Sequence, residues 1–331
     1  MLKLASAMGM LKVGTVGLDG TKFHANASRH SALSYGHARK IEKQLRKEVQ
    51  QLLRLAEQAD AAEIPDGMSI PEELERRELR LAAIAEAEIE ARAAERLEGE
   101  QAAHQAKLVA RAQRERRTGK KPGGRPPQPP TGGVREQDQI NLTVEDSRIK
   151  PMAGGGFDQS YNAQAAVATG SLLVIATTVT QAANDKRQIA PMLQQSKALP
   201  KDLGRTRRLL ADSGHLSEAN VQRREGARIE PLIALGREPH HRSWKGRFAA
   251  TPKGPPATAT PLQRMAYRLK TPKGRKLYKL RKQTPEPVFG IIKSVMAFRQ
   301  FSLRGLKNVT GEWDLVTMSW NIKRTFALKA V

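Results

Sequence analysis

"RRLLADSGHLSEANVQRR", residues 207–224, decides the fold class. Leu209, Leu210 and Ala211 make an apolar run that ends in an acid, Asp212; Ser213 and Gly214 follow as a small-residue turn. Ser217 then stands where an N-cap opens a helix, with Asn220 in its first turn. A strand, a terminal acid, a tight loop and a helix in that order are the building unit of an open α/β sheet, and sites gather at such strand ends. "RIEPLIAL", 228–235, reads as the next strand.

Upstream, "YNAQAAVAT" (161–169) and "SLLVIATTVT" (171–180) are strand-like runs on either side of Gly170 and predict a hairpin. Asp185 with Gln188 predicts the cap of a helix carrying Ile189 and Met192. Near the front, "GTVGLDGTKFHANAS" (14–28) reads as extended chain, with Val13, Thr15 and Val16 favouring strand and Gly17 and Gly20 leaving room for close backbone approach. Its acid, Asp19, has two readings. Asp-Gly is a strong hairpin signal, so the residues alone favour a turn with Thr21 to Ala25 returning; the alternative is a functional acid on a strand.

Between these regions the period changes. Ile41, Leu45, Val49, Leu52 and Leu53 recur at helical spacing within 37–62, and a capping box of Ser69 and Glu72 predicts a second helix from 70 to 117. Residues 118–138 hold too many Pro and Gly for regular structure and predict a flexible basic linker. The expected organisation is therefore 1–36 as the first strand region, 37–117 as an inserted helical hairpin arm, 118–138 as linker, and 139–331 as the rest of the core with basic C-terminal helices.

Charge narrows the function. The 331 residues carry a formal net charge of +24, and 201–331 alone hold 28 Lys and Arg against 9 Asp and Glu. A polyanionic partner follows, nucleic acid above all. No cysteine is present, which excludes disulfides, Cys-ligated zinc and a thiol nucleophile. No apolar run reaches membrane-spanning length, so a cytoplasmic, nucleoid-associated protein is expected. His240 and His241 lack a zinc-ligand pattern.

Three acids stand apart from ordinary surface charge: Asp19, Asp212, and Glu286 at the start of the apolar helix in "TPEPVFGIIKSVMAFRQF". Three carboxylates suit two Mg²⁺ ions, which take oxygen ligands and drive in-line phosphoryl displacement. The segments "VGLDGTKFHANASRHSALSYGHARK", "LLADSGHLSEAN" and "YKLRKQTPEPVFGIIK" resemble, in order, the acidic blocks of DDE-class bacterial insertion-sequence transposases. Tyr278, Arg281, Glu286 and Lys293 resemble the Tyr-Arg-Glu-Lys signature of that family.

The resemblance implies a ribonuclease-H-like α/β core, a mixed sheet flanked by helices. It implies Asp19, Asp212 and Glu286 as catalytic and metal-binding triad, with Mn²⁺ able to replace Mg²⁺, and it reverses the turn reading of Asp19. It further implies Arg281, Lys293 and Tyr278 as phosphate contacts, double-stranded DNA as partner (transposon ends and target), and allows a homodimer on DNA. The expected reaction is hydrolysis at transposon ends, then attack of the freed 3′-hydroxyl on target DNA. A non-catalytic DNA-binding remnant and a metal-dependent nuclease are the rival expectations.

This sequence departs from the family pattern at Pro285, where a β-branched residue is usual, so the helix is expected to begin at Pro285 or later. His215 stands where the family shows an aromatic. Asp19 also lies closer to the first residue than the family's N-terminal recognition domain would place it; an N-terminally truncated chain is expected, the alternatives being a start codon placed internally or end recognition supplied by another polypeptide. Trp313 and Trp320, seven residues apart, are expected in the core rather than stacked on bases.

Overall fold

The structure is a computed structural model that describes residues 1–28, 32–58, 70–86, 89–119, 123–136, 138–141, 143–144, 146–152, 155–182, 185–218, 220–222, 227–236 and 254–329. Ser69 and most of the Pro- and Arg-rich stretch with His240 and His241 lie outside the described residues. The chain forms two compact units: residues 1–26 with 146–331, and residues 27–145.

The first unit is a mixed α/β layer structure. Its strands are β1 (Val13–His24), β4 (Arg148–Pro151), β5 (Phe157–Ala168), β6 (Val174–Thr180), β7 (Gly204–Ala211) and β8 (Glu230–Ile233). β1 is central. It pairs antiparallel with β5 on one side and parallel with β7 on the other, and β7 pairs parallel with β8. β4 and β6 both lie antiparallel to β5.

The hairpin expected from 161–180 is β5 and β6, joined by a turn in which Leu172 takes φ 63°. The Asp-Gly turn at Asp19 is not formed. Asp19 pairs with Ala165 and Gly20 with Gln164, so β1 runs straight through both. The local turn signal yields because β5 pairs with β1 without a break from Val16 to His24, which a hairpin reading of this stretch alone cannot see.

Side chains alternate across β1, which splits the core. Val16 and Leu18 belong to an aliphatic cluster with Ile189 and Met192 of α5 (Ile189–Ala198) and Met265 of α6 (Pro261–Lys270). Phe23 faces the other way, against Phe298, Phe301 and Trp313. That side is covered by α8 (Pro285–Ser294) and α9 (Leu306–Lys329), with the short helix α7 (Pro272–Lys279) leading into α8. Both Trp313 and Trp320 are buried and donate their indole N–H groups to the carbonyls of Gln164 and Leu172. No helix among the described residues is long and apolar enough to cross a membrane.

The second unit is mainly helical: α2 (Tyr35–Gln58), α3 (Ile70–Glu86) and α4 (Ile89–Thr118), with a two-stranded pair of β2 (Ala32–Ser34) and β3 (Gln139–Asn141). Ala38 and Leu45 on the apolar stripe of α2 pack with Leu81 and Val134, and Arg77 of α3 donates to Glu48 of α2 at 2.8 Å. Residues 123–136 contain no helix or strand. The carbonyls of Gly124 and Gly133 accept hydrogen bonds from Arg111 and Arg96 of α4.

Candidate active site

Asp19 extends from the middle of β1 on the face that also carries Gly17, Thr21 and Phe23. Proline and small residues let α8 lie close to that face: a Cβ at Gly17 would meet Pro285 Cδ at 3.0 Å. The helix begins at Pro285, so Glu286 stands in its first turn, as the proline pattern predicts. Arg281, just upstream, bridges the two acids. Its Nη1 donates to Asp19 Oδ2 at 3.3 Å and its Nη2 to Glu286 Oε1 at 2.8 Å.

Asp212 enters from the end of β7. The backbone there tightens into a 3₁₀ turn, Ser213–His215, which Asp212 caps by accepting from Gly214 N–H at 3.0 Å. His215 is fully buried, and its Nδ1 donates to Asp212 Oδ1 at 2.8 Å. Ser217 Oγ accepts from Asn220 N–H at 3.1 Å, the N-cap bond expected from the sequence.

The two aspartates have opposite electrostatics. Burial pushes the Asp19 carboxyl up to about 6, the nearby charge of Asp212 adds to this, and Arg281 works against it. The hydrogen bond from His215 holds Asp212 below its ordinary value, outweighing its own burial. Asp212 therefore ionises first and Asp19 only against its field. Arg281 keeps its charge despite burial because Tyr278, Asp19, Glu286 and Asp212 surround it, and its pKa is raised.

Lys293 lies two turns along α8 from Glu286. Its Nζ donates to Thr21 Oγ1 at 2.6 Å and to the Lys22 carbonyl at 3.0 Å, and stands over the Phe23 ring. Burial lowers its pKa. The structure thus brings Asp19, Arg281 and Glu286 into direct contact, sets Asp212 within electrostatic reach of Asp19, and ties Lys293 to the strand.

A hard divalent cation suits this donor set. All its donors are carboxylate oxygens, and such an ion stabilises the ionised Asp19 against the burial that chiefly raises it and the Asp212 charge that adds to this. Among the described residues no three Asp, Glu or His side chains already close on one point to cage an ion; the Glu286 carboxylate is turned to Arg281.

Asp185 is not the helix cap that its spacing to Gln188 predicts: α5 begins at Ile189 with Gln188 as N-cap and no side-chain capping bond. Asp185 instead accepts from Asn162 Nδ2 at 2.8 Å and from Gln164 Nε2. A Cβ at Gly20 would meet Asp185 Oδ1 at 2.8 Å, and one at Gly214 would meet both Asp212 Oδ1 and Asp185 Oδ2. Ser160, Asn162 and Gln164 alternate along β5 opposite His24, Lys22 and Gly20, on the sheet face away from Asp19, and this polar alternation is the sequence signal for the row that holds Asp185.

Residues 253–326 match the family model described as a transposase DDE domain. No curated protein and no solved structure matches the chain. The matched segment contains Tyr278, Arg281, Glu286 and Lys293.

Proposed function

We propose that this chain, a DDE-class transposase by its match over residues 253–326, cuts DNA phosphodiesters in the cleft of Asp19, Asp212 and Glu286. The mixed sheet, antiparallel on one side of β1 and parallel on the other, supports a ribonuclease-H-like core for that cleft. The observation that carries the reading is the Asp19 carboxyl, buried beside a second aspartate and joined to Glu286 through Arg281.

Asp19 and Asp212, with Glu286, would hold two Mg²⁺ or Mn²⁺ ions; when bound, these supply activation of the attacking oxygen and charge relief at the leaving one. Asp19 gives a fixed oxygen from the sheet. Asp212 gives one from a strand end, kept anionic by His215. Arg281 holds Asp19 and Glu286 in register before substrate arrives and turns its donors to a DNA phosphate on binding. Tyr278, three residues before Arg281 and within its electrostatic reach, meets the same phosphate. Lys293 spends two donors on Thr21 and Lys22, so it acts on phosphate through the strand that carries Asp19. The substrates are transposon ends and target DNA: water first attacks the scissile phosphate, and the freed 3′-hydroxyl then attacks the target.

The test is nicking of a supercoiled plasmid with Mg²⁺ or Mn²⁺. Asp212→Asn should abolish nicking and leave duplex binding equal or slightly tighter, since one negative charge beside the phosphates is gone. Nicking that survives the substitution, or that persists in a chelator, overturns the assignment.

A further inference from the structure

Asp212 caps a turn only three residues long, Ser213–His215, and part of what holds that turn comes from outside it. Asn220, 6% exposed, spends its side-chain amide on two main-chain carbonyls: that of His215, inside the turn, accepts at 2.9 Å, and that of Lys186, 34 residues upstream, accepts at 2.7 Å. Its own place is fixed by the bond from its backbone N–H to Ser217 Oγ. The bond to His215 is buried, so removing the amide leaves that carbonyl without its donor and out of reach of water.

The segment that carries Lys186 is anchored in turn. Asp185 Oδ1 accepts from Asn162 Nδ2 and Gln164 Nε2, two buried amides of β5 that pack beneath Gly20, the neighbour of Asp19. Gly214 fills the gap between the two acids: a Cβ there would stand 3.1 Å from Asp212 Oδ1 and 3.5 Å from Asp185 Oδ2. The amides of β5, Asp185, the Lys186 carbonyl and Asn220 thus form one bracket, which runs from the back of β1 to the turn after β7 and so joins the supports of Asp19 and Asp212.

We propose that Asn220 and Asp185 are positioning residues for the cation site, and that the bracket fixes how far the Asp212 carboxylate stands from Asp19. Asn220 acts as a donor and Asp185 as an acceptor for the two amides; neither touches the reacting atoms. The inference rests on the reading of Asp19 and Asp212 as cation ligands. Mg²⁺ demands near-ideal geometry from its oxygens, and groups that hold ligands in place are typically worth about 10–100-fold in metal affinity.

The test is Mn²⁺ binding to the full chain without DNA, followed by electron paramagnetic resonance. Asn220→Ala and Asp185→Ala should each raise the Mn²⁺ dissociation constant at least about tenfold, whereas Asp185→Asn, which keeps an acceptor for the amides, should stay within about threefold of the parent. Thermal midpoints are read on the same samples. A role in stability alone would lower the midpoint and leave the dissociation constant of the folded chain unmoved, and that result overturns the proposal. So does binding as weak in Asp185→Asn as in Asp185→Ala, which would make Asp185 a ligand, and so does a parent chain that binds no Mn²⁺. Should one alanine variant fail to fold, the other decides. Plasmid nicking separates this proposal from the cleavage reading: nicking that Asp212→Asn abolishes, with unmoved Mn²⁺ constants in both alanine variants, overturns the positioning and leaves the cleavage site standing.

Discussion

Asp19 carries a carboxyl that the fold makes hard to ionise. Raised from 3.8 to about 6 by burial first and Asp212 second, it binds its proton more tightly folded than unfolded. The stability this gives is fully present below about pH 4 and is lost as pH rises through about 6, because the unfolded chain ionises freely where the folded one resists. A gap of this size corresponds to an effect on the order of 3 kcal/mol. In a chelator, Asp19→Asn should match the parent chain at pH 4 and exceed it at pH 7.5 by up to roughly that amount; chemical denaturation at the two pH values measures it. Equal stability at both would mean that Asp19 is not held under strain. Residue chemistry was only partly legible in the sequence. The three acids stood out by position, but nothing in "DSGH" says that His215 is buried and keeps Asp212 ionised. That depends on which elements close over the ring.

Elements were more readable than the contacts between them. The apolar run ending at Asp212, the hairpin of β5 and β6, and a helix starting at Pro285 all follow from local pattern. The course of β1 does not, since its Asp-Gly pair signals a turn that pairing with β5 overrides. The seating of α8 on β1 is equally invisible, because it rests on a glycine with no side chain to display. Gly17 lets Pro285 and Thr284 approach, and a methyl there meets Pro285 Cδ and Cγ at 3.0 and 3.1 Å. Gly17→Ala should therefore push the first turn of α8, and Glu286 with it, off the sheet. Overpacking of this kind costs about 1–3 kcal/mol, and a misplaced catalytic group can lower the rate by roughly 100-fold. Nicking rate and denaturant midpoint should fall together; an unchanged rate in the folded variant would remove the seating of α8 from the mechanism.

Over the whole molecule, charge was the clearest signal and its placement the least. Residues 201–331 carry a large positive excess, and α7, with Lys273, Lys276 and Lys279 exposed and no acid, delivers the chain to Arg281. Duplex affinity should fall steeply with salt. Lys276→Gln with Lys279→Gln should lower the log–log salt slope by about two, roughly one for each phosphate that is no longer neutralised. Binding titrations at several salt concentrations read this out, and an unchanged slope would place the DNA elsewhere.

The central position of β1 bears on how the chain reaches this state. Both partners of β1 lie beyond residues 27–145 in the sequence, since β5 and β7 come after that whole unit. During synthesis the strand that holds Asp19 emerges ahead of both its partners and stays unpaired on both edges until residues 27–145 have followed it. The sheet can close only through very long loops, and such non-local pairing is slow and exposes strand edges to other chains. The cleft is therefore the last thing to be assembled, and the vulnerable interval in the life of this protein precedes its chemistry.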